Sequence, residues 1–206
     1  ALEATRAEIA KLGRNSHAAS VDLSRGDLVR GYVRDAVAAL GGVDLLVNNA
    51  SAFGSSDDDA GWTGSLAVDM MAIVHATQEA HPALKKSQGS VVNISSISAL
   101  HPAARQPPYG AIKAAAIHYT VTQAAMYAKD RIRVNCIAPG SVDFPGSIWD
   151  RRKTENPALY NGTLASIPFG RFGTPEEIAN VALFLASPLA SWVTGQAIAV
   201  AGAQGL

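Results

Sequence analysis

Four short apolar runs, rich in β-branched residues, punctuate the chain: VDLLVNNA (43–50), GSVVNISS (89–96), IRVNCIAP (132–139) and QAIAVAG (196–202). HAASVDL (17–23) is a weaker fifth. None alternates between apolar and polar positions with period two. Consecutive apolar positions are what a strand carries when helices cover both faces of a parallel sheet. Between the runs, helical periodicity extends over 1–12, 25–40, 62–86, 108–129 and 174–187. Strand and helix thus alternate throughout, which predicts an α/β fold with a doubly wound parallel sheet. One helix start is well signed: Thr174 is an N-cap candidate, Pro175 takes the first turn, and Glu177 completes a T-x-x-E capping box. The stretch 141–170, rich in Pro, Gly and aromatic residues, is the long irregular segment. Segments of that length commonly act as lids. No repeat or linker divides the chain, so a single domain over residues 1–206 is expected.

Composition narrows the function classes. The chain of 206 residues is 48% hydrophobic and 17% charged, with 17 basic and 17 acidic residues. That balance fits a soluble globular protein and argues against nucleic-acid binding, which draws on a basic excess. No apolar run approaches the roughly 20 residues of a membrane span, and the charged N-terminal helix pattern is no signal peptide. The one cysteine, Cys136, sits in an apolar run and is read as a buried core thiol. A reducing, cytoplasmic setting follows as the default.

Doubly wound nucleotide binders carry a glycine-rich turn between their first strand and first helix, where backbone N–H groups hold a pyrophosphate. No such turn occurs here near a strand–helix junction. Either an N-terminal strand–helix–strand unit of about 30 or more residues precedes this chain, or the protein lacks a phosphate cradle.

The most suggestive chemistry is PYGAIKAAA (108–116). With five tyrosines and six lysines in the chain, a Tyr-x-x-x-Lys pair arises by chance about once in seven chains of this composition. On a helix, however, Tyr109 and Lys113 share one face. A phenol with a pKa of about 10 exchanges protons poorly near neutrality, and a neighbouring ammonium favours its ionised form.

VDLLVNNA, VVNISS, Y-G-A-I-K, RIRVNCIAPG and GRFGTPEEIANVALFLASPLASWVTGQAIAV stand in one order along the chain, with Tyr109 thirteen residues after Ser96. In these motifs the chain resembles the short-chain dehydrogenase/reductase family over almost its whole length. The resemblance implies a Rossmann-like domain and an NAD(P)-dependent oxidoreductase, interconverting a secondary alcohol and a ketone or reducing a related carbonyl or C=N bond. It implies that Tyr109 is the general acid/base, Ser96 holds the substrate oxygen, and Lys113 binds the nicotinamide ribose while lowering the tyrosine pKa. It further implies cofactor contacts from Asn49, Ala50 and Ser51, from Pro139, Gly140 and Val142, and from Asp22 with Leu23 at the adenine edge. Asp22 could equally cap the helix that follows it. The resemblance leaves NAD and NADP equally open. It implies a homotetramer or homodimer joined through helices 62–86 and 108–129 and the C-terminal strand.

Three positions depart from the family pattern. Asp69 stands where an asparagine usually supports a proton-relay water; an ionised carboxylate accepts hydrogen bonds but cannot donate them. Ser51 replaces a glycine, and Phe144 replaces a threonine that often holds the carboxamide. A catalytically silent reductase-like binding or scaffold protein is therefore the alternative, favoured by Asp69 and the absent glycine turn and opposed by Ser96, Tyr109 and Lys113. A nucleotide-sugar epimerase would also use Tyr-x-x-x-Lys but needs a C-terminal substrate domain for which the chain has no room.

No His, Cys or carboxylate cluster has metal-ligand spacing, so no metal site is expected. His75, His81 and His118 read as packing or surface residues, and His101, just beyond Ser96, as a possible substrate contact. Asp57, Asp58 and Asp59 read as a solvated loop. Arg151, Arg152 and Lys153 read as a solvated helix face or as a means of steering an anionic substrate. Phe144, Trp149 and Tyr160 are candidates for an apolar substrate wall or, equally, for packing the lid onto the body.

Overall fold

The computed structural model describes residues 2–205. Its sheet has four strands: β1 (Leu45–Asn48), β2 (Ser90–Ile94), β3 (Arg133–Pro139) and β4 (Ala197–Val200), all parallel and in the order β1-β2-β3-β4. The lack of alternation in β2 has a direct cause. Val91 points into a core shared with α2 (Gly26–Leu40), α4 (Ala72–Ser87) and α5 (Pro107–Tyr127), among Val29, Ala80, Leu84 and Val134. Its neighbour Val92 points the other way, onto Ile137 and onto Leu185 of α8 (Pro175–Ala186). Successive side chains of a strand leave on opposite faces, and here both faces are dry. Among the described residues β1 and β4 are the outer strands and are half exposed, while β2 and β3 are buried on both faces.

Three expectations are corrected. Residues 17–23 form no strand: a strand needs a partner for its N–H and C=O groups, and this segment pairs with nothing in the described sheet. The predicted helix 62–86 runs from α3 (Asp59–Ser65) through a π-helical stretch, Leu66–Met71, into α4. Residues 141–170 are not irregular throughout, since they contain α6 (Ile148–Glu155) and α7 (Pro157–Ala165). Their short helices are capped by Ser147, which accepts from Asp150 N, and by Asn156, which accepts from Leu159 N. The capping box of α8 is as predicted, with Thr174 N donating to the Glu177 carboxylate at 2.9 Å. The remaining helix, α1 (Leu2–Lys11), buries none of its residues.

A polar network crosses the core. Asn48 donates to Asn93 at 2.8 Å, and Asn93 donates to Thr120 at 2.9 Å and to Gln123 at 3.1 Å. Buried amides are costly unless paired. Asn48 and Asn93 are paired, and Gln123 accepts through its oxygen while its buried Nε2 finds no partner; together the bonds tie β1, β2 and α5.

Candidate active site

β2 ends at Ile94 and delivers Ser95 and Ser96 to the carboxyl edge of the sheet, where open α/β sheets bind ligands. The chain then loops back, and α5 begins at Pro107 with Tyr109 in its first turn. Gly110 makes this approach possible. A Cβ there would meet the Ala103 Cβ at 2.5 Å and the Ser98 carbonyl oxygen at 3.0 Å, so only glycine lets α5 sit this close to the Ser96 segment. The Ser95 hydroxyl also donates to the Lys113 carbonyl at 2.8 Å, tying strand end to helix.

The Tyr109 hydroxyl consequently meets Ser96. Burial pushes the phenol pKa above its ordinary value, the hydrogen bond with Ser96 lowers it in part, and the Asp69 charge raises it again. The expected depression by Lys113 does not appear, and the reason is geometric. The Lys113 ammonium, 2% exposed, lies 3.0 Å from Oδ1 of the fully buried Asp69 and donates to the Ile94 carbonyl at 3.0 Å. Asp69 is brought there by the π-helical stretch and also accepts from Ala52 N at 3.2 Å. It has drawn the cation toward itself, leaving the ammonium 5.6 Å from the centroid of the tyrosine ring.

Two cavities meet at this point. One, of about 860 Å³, is walled by Asn49, Ser51, Ile94, Lys113, Pro139, Val142 and Phe144 and by the inward face of α8. The other, of about 590 Å³, lies toward Arg105, Gln106, Arg152, Thr163 and Gln204. Ser96, Tyr109, Gly140, Ile148 and Trp149 line both. The first offers apolar walls and a buried ammonium with one donor uncommitted, which fits a nicotinamide and its ribose. The described residues contain no glycine-rich strand–helix turn to hold a pyrophosphate.

Of the residues expected at the site, Ser51, Asn49, Pro139, Gly140, Val142 and Phe144 come to the larger cavity. Asn48, the last residue of β1, donates to Asn93 at 2.8 Å and to Thr77 at 3.3 Å and so braces the strand. Ala50, Asp22 and Leu23 line neither cavity. Asp22 is not the helix cap either: it accepts from the Ser24 amide and hydroxyl in the turn before α2, and Leu23 packs against the helical core. Cys136 is a core thiol, pushed up to about 11 by burial. No group of His, Cys, Asp or Glu among the described residues could hold a metal ion.

Sequence reasoning missed Phe53. Its ring centroid lies 4.9 Å from that of Tyr109, and its backbone sits at φ +51°, a region few non-glycine residues adopt. Nothing in the order SAFG signals that ring contact. Arg105 was also missed, because it lines the smaller cavity with Arg152, a neighbour distant in sequence.

Comparison with known proteins adds an independent line. A family profile described as Enoyl-(Acyl carrier protein) reductase matches residues 1–203. The 3-oxoacyl-[acyl-carrier-protein] reductase FabG of Chlamydia trachomatis is 36% identical over 195 residues, covering 92% of this chain and 77% of that one. A solved 7α-hydroxysteroid dehydrogenase, complexed with NADH and 7-oxo glycochenodeoxycholic acid, superposes with a TM-score of 0.89 at 32% identity, over 98% of this chain and 79% of its own. L-Sorbose reductase of Gluconobacter frateurii, complexed with NADPH and L-sorbose, gives 0.88 at 29% identity, over 98% and 82%.

Proposed function

We propose the function from one fact: the chain belongs to the short-chain dehydrogenase/reductase family. It is an NAD(P)-dependent oxidoreductase that interconverts a secondary alcohol and a ketone, or reduces a related carbonyl. The observation that carries this reading is the convergence of Ser96 and Tyr109 on the wall common to two cavities. The larger cavity takes the nicotinamide end of NAD or NADP, and the smaller takes the carbonyl substrate. The cofactor complexes of the two solved relatives support the same choice.

A nicotinamide held there by Lys113 and the walls of the larger cavity would supply, or take up, the hydride at the substrate carbon. Tyr109 gives its phenolic proton to the carbonyl oxygen in reduction and takes it back in oxidation. Ser96 holds that oxygen: its Oγ already accepts from Ser98 N at 3.1 Å, which orients the hydroxyl. Lys113 commits two contacts within the protein and offers its remaining donor to the ribose. Asp69 fixes Lys113 and the loop at Ala52, and its charge adds to burial, the larger cause, in raising the Tyr109 pKa. The segment 141–170 serves as the lid, since Ile148, Trp149, Leu159 and Thr163 overhang the smaller cavity. Enclosure of this kind excludes water and aligns reactants, which supplies much of an enzyme's acceleration.

No described helix is long and apolar enough to cross a membrane. We assign the protein to the cytoplasm, in keeping with its buried free thiol. We also assign it a dimeric or tetrameric assembly, supported by the exposed Val121 and Met126 on α5. The decisive experiment is titration with NADH and NADPH, followed by a carbonyl panel read at the nicotinamide absorbance. Binding with turnover supports the enzyme. Binding without turnover of any carbonyl or alcohol would favour a silent, reductase-like binding protein.

A further inference from the structure

The smaller cavity has an unbalanced charge. Of the side chains lining it, the ionised ones are Arg105 and Arg152, and no carboxylate, lysine or histidine joins them. The two guanidinium groups come from elements far apart in sequence, the turn before α5 and the helix α6. They are close enough to repel: burial, then the charges of Arg105 and Arg151, lower the Arg152 pKa. Guanidinium groups stay charged nonetheless.

The acids that could neutralise them are occupied. Asp143 and Asp150 on the same segment lie 2.8 Å and 3.4 Å from Lys153. Asp150 also accepts from Gly146 N at 2.8 Å, and Asp143 from the Ser147 hydroxyl at 2.9 Å. Among the described residues neither Arg105 nor Arg152 has an acidic partner within 4.0 Å. Arg152 is held in position by stacking on Trp149, 4.7 Å from the ring centroid. A planar guanidinium group fixed in this way matches carboxylate and phosphate oxygens, and the exposed Arg105 stands on the same cavity wall to join it.

Resting on the oxidoreductase reading, we infer that the carbonyl substrate carries an anionic group, a carboxylate or a phosphate, which Arg105 and Arg152 receive while Ser96 and Tyr109 engage the carbonyl. The arginines are binding and specificity residues. They take no part in hydride or proton transfer.

The test pairs charged and neutral carbonyls of one skeleton: 4-oxopentanoate against its methyl ester, and dihydroxyacetone phosphate against dihydroxyacetone. For each, kcat/KM is measured with saturating cofactor, and Kd is measured separately by calorimetry on the wild-type protein. At least one anionic probe is expected to be favoured by about 10- to 100-fold, the size of a charge-assisted pairing, mainly through KM. Which pair shows the preference distinguishes carboxylate from phosphate. The ratio should collapse toward one in Arg105→Gln/Arg152→Gln, with Arg152→Lys retaining part of it. It should also fall as KCl is raised in the wild type, a measurement that needs no variant to fold. Equal handling of the charged and neutral members of both pairs overturns the inference. So does a preference indifferent to both arginines, or a double substitution that alters NADPH over NADH selection instead. The Kd values decide the matter without turnover. A protein that discriminates by charge but reduces nothing would sustain this inference and defeat the oxidoreductase reading.

Discussion

Asp69 is the residue on which the chemistry of this chain turns. A buried ion pair gains little over an apolar pair of equal shape, yet removal of one partner strands the other charge at a cost of about 3–5 kcal/mol. Asp69→Leu should therefore lower unfolding free energy on that scale, measured by urea titration, whereas Asp69→Asn keeps the shape and an acceptor for Lys113. The kinetic consequence has a definite sign. Burial and the Asp69 charge both hold the Tyr109 pKa above its ordinary value, so the phenol remains a proton donor into alkaline pH. Oxidation, which needs the phenolate, should accelerate only at high pH. With Asp69→Asn the ammonium is unopposed, so the rise in the oxidation rate should move to lower pH with turnover preserved or increased. An unchanged pH profile would show that Asp69 does not act on the tyrosine. The sequence revealed the asparagine-to-aspartate departure but not its partner. That partner depends on a π-helical stretch which hydrophobic periodicity does not register. Phe53 was illegible for a similar reason: its ring contact comes from a left-handed backbone turn rather than from a pattern.

At the scale of elements, the sequence was most informative where burial is two-sided. Val91 and Val92, or Cys136 beside Ile137, break the period-two pattern because helices lie on both faces, and those strands were legible. HAASVDL has the composition of a strand, but strand formation is decided by a partner, which no local pattern contains. The start of α8 was read correctly because capping is local chemistry. Thr174→Ala should destabilise the protein by about 0.5–2 kcal/mol in denaturant titration, and no change would show that the box is ornamental. Its companion Glu177 is lowered to about 2, chiefly by hydrogen bonding to Arg171 and then by the Thr174 amide. A carboxylate depressed in the folded state stabilises above its unfolded pKa. That support should be complete above about pH 5 and vanish as pH falls toward 2. Glu177→Gln should flatten the acid limb of the stability curve.

For the whole molecule, the parallel sheet accounts for the location of the site. Three strands deliver the ends of β1, β2 and β3 to one edge, and α5 crosses that edge with its first turn, so a phenol, a hydroxyl and an ammonium from remote segments converge between two cavities. The exposed apolar residues of α5 predict a native mass of two or four chains by light scattering; a strictly monomeric species would remove that assignment. The central claim is that Tyr109 is the group that moves the proton. Its most direct test is the turnover of Tyr109→Phe alongside its affinity for NADH and NADPH. A fall in turnover of about 10²-fold or more with cofactor affinity retained is the predicted result, and near-normal turnover would contradict the account.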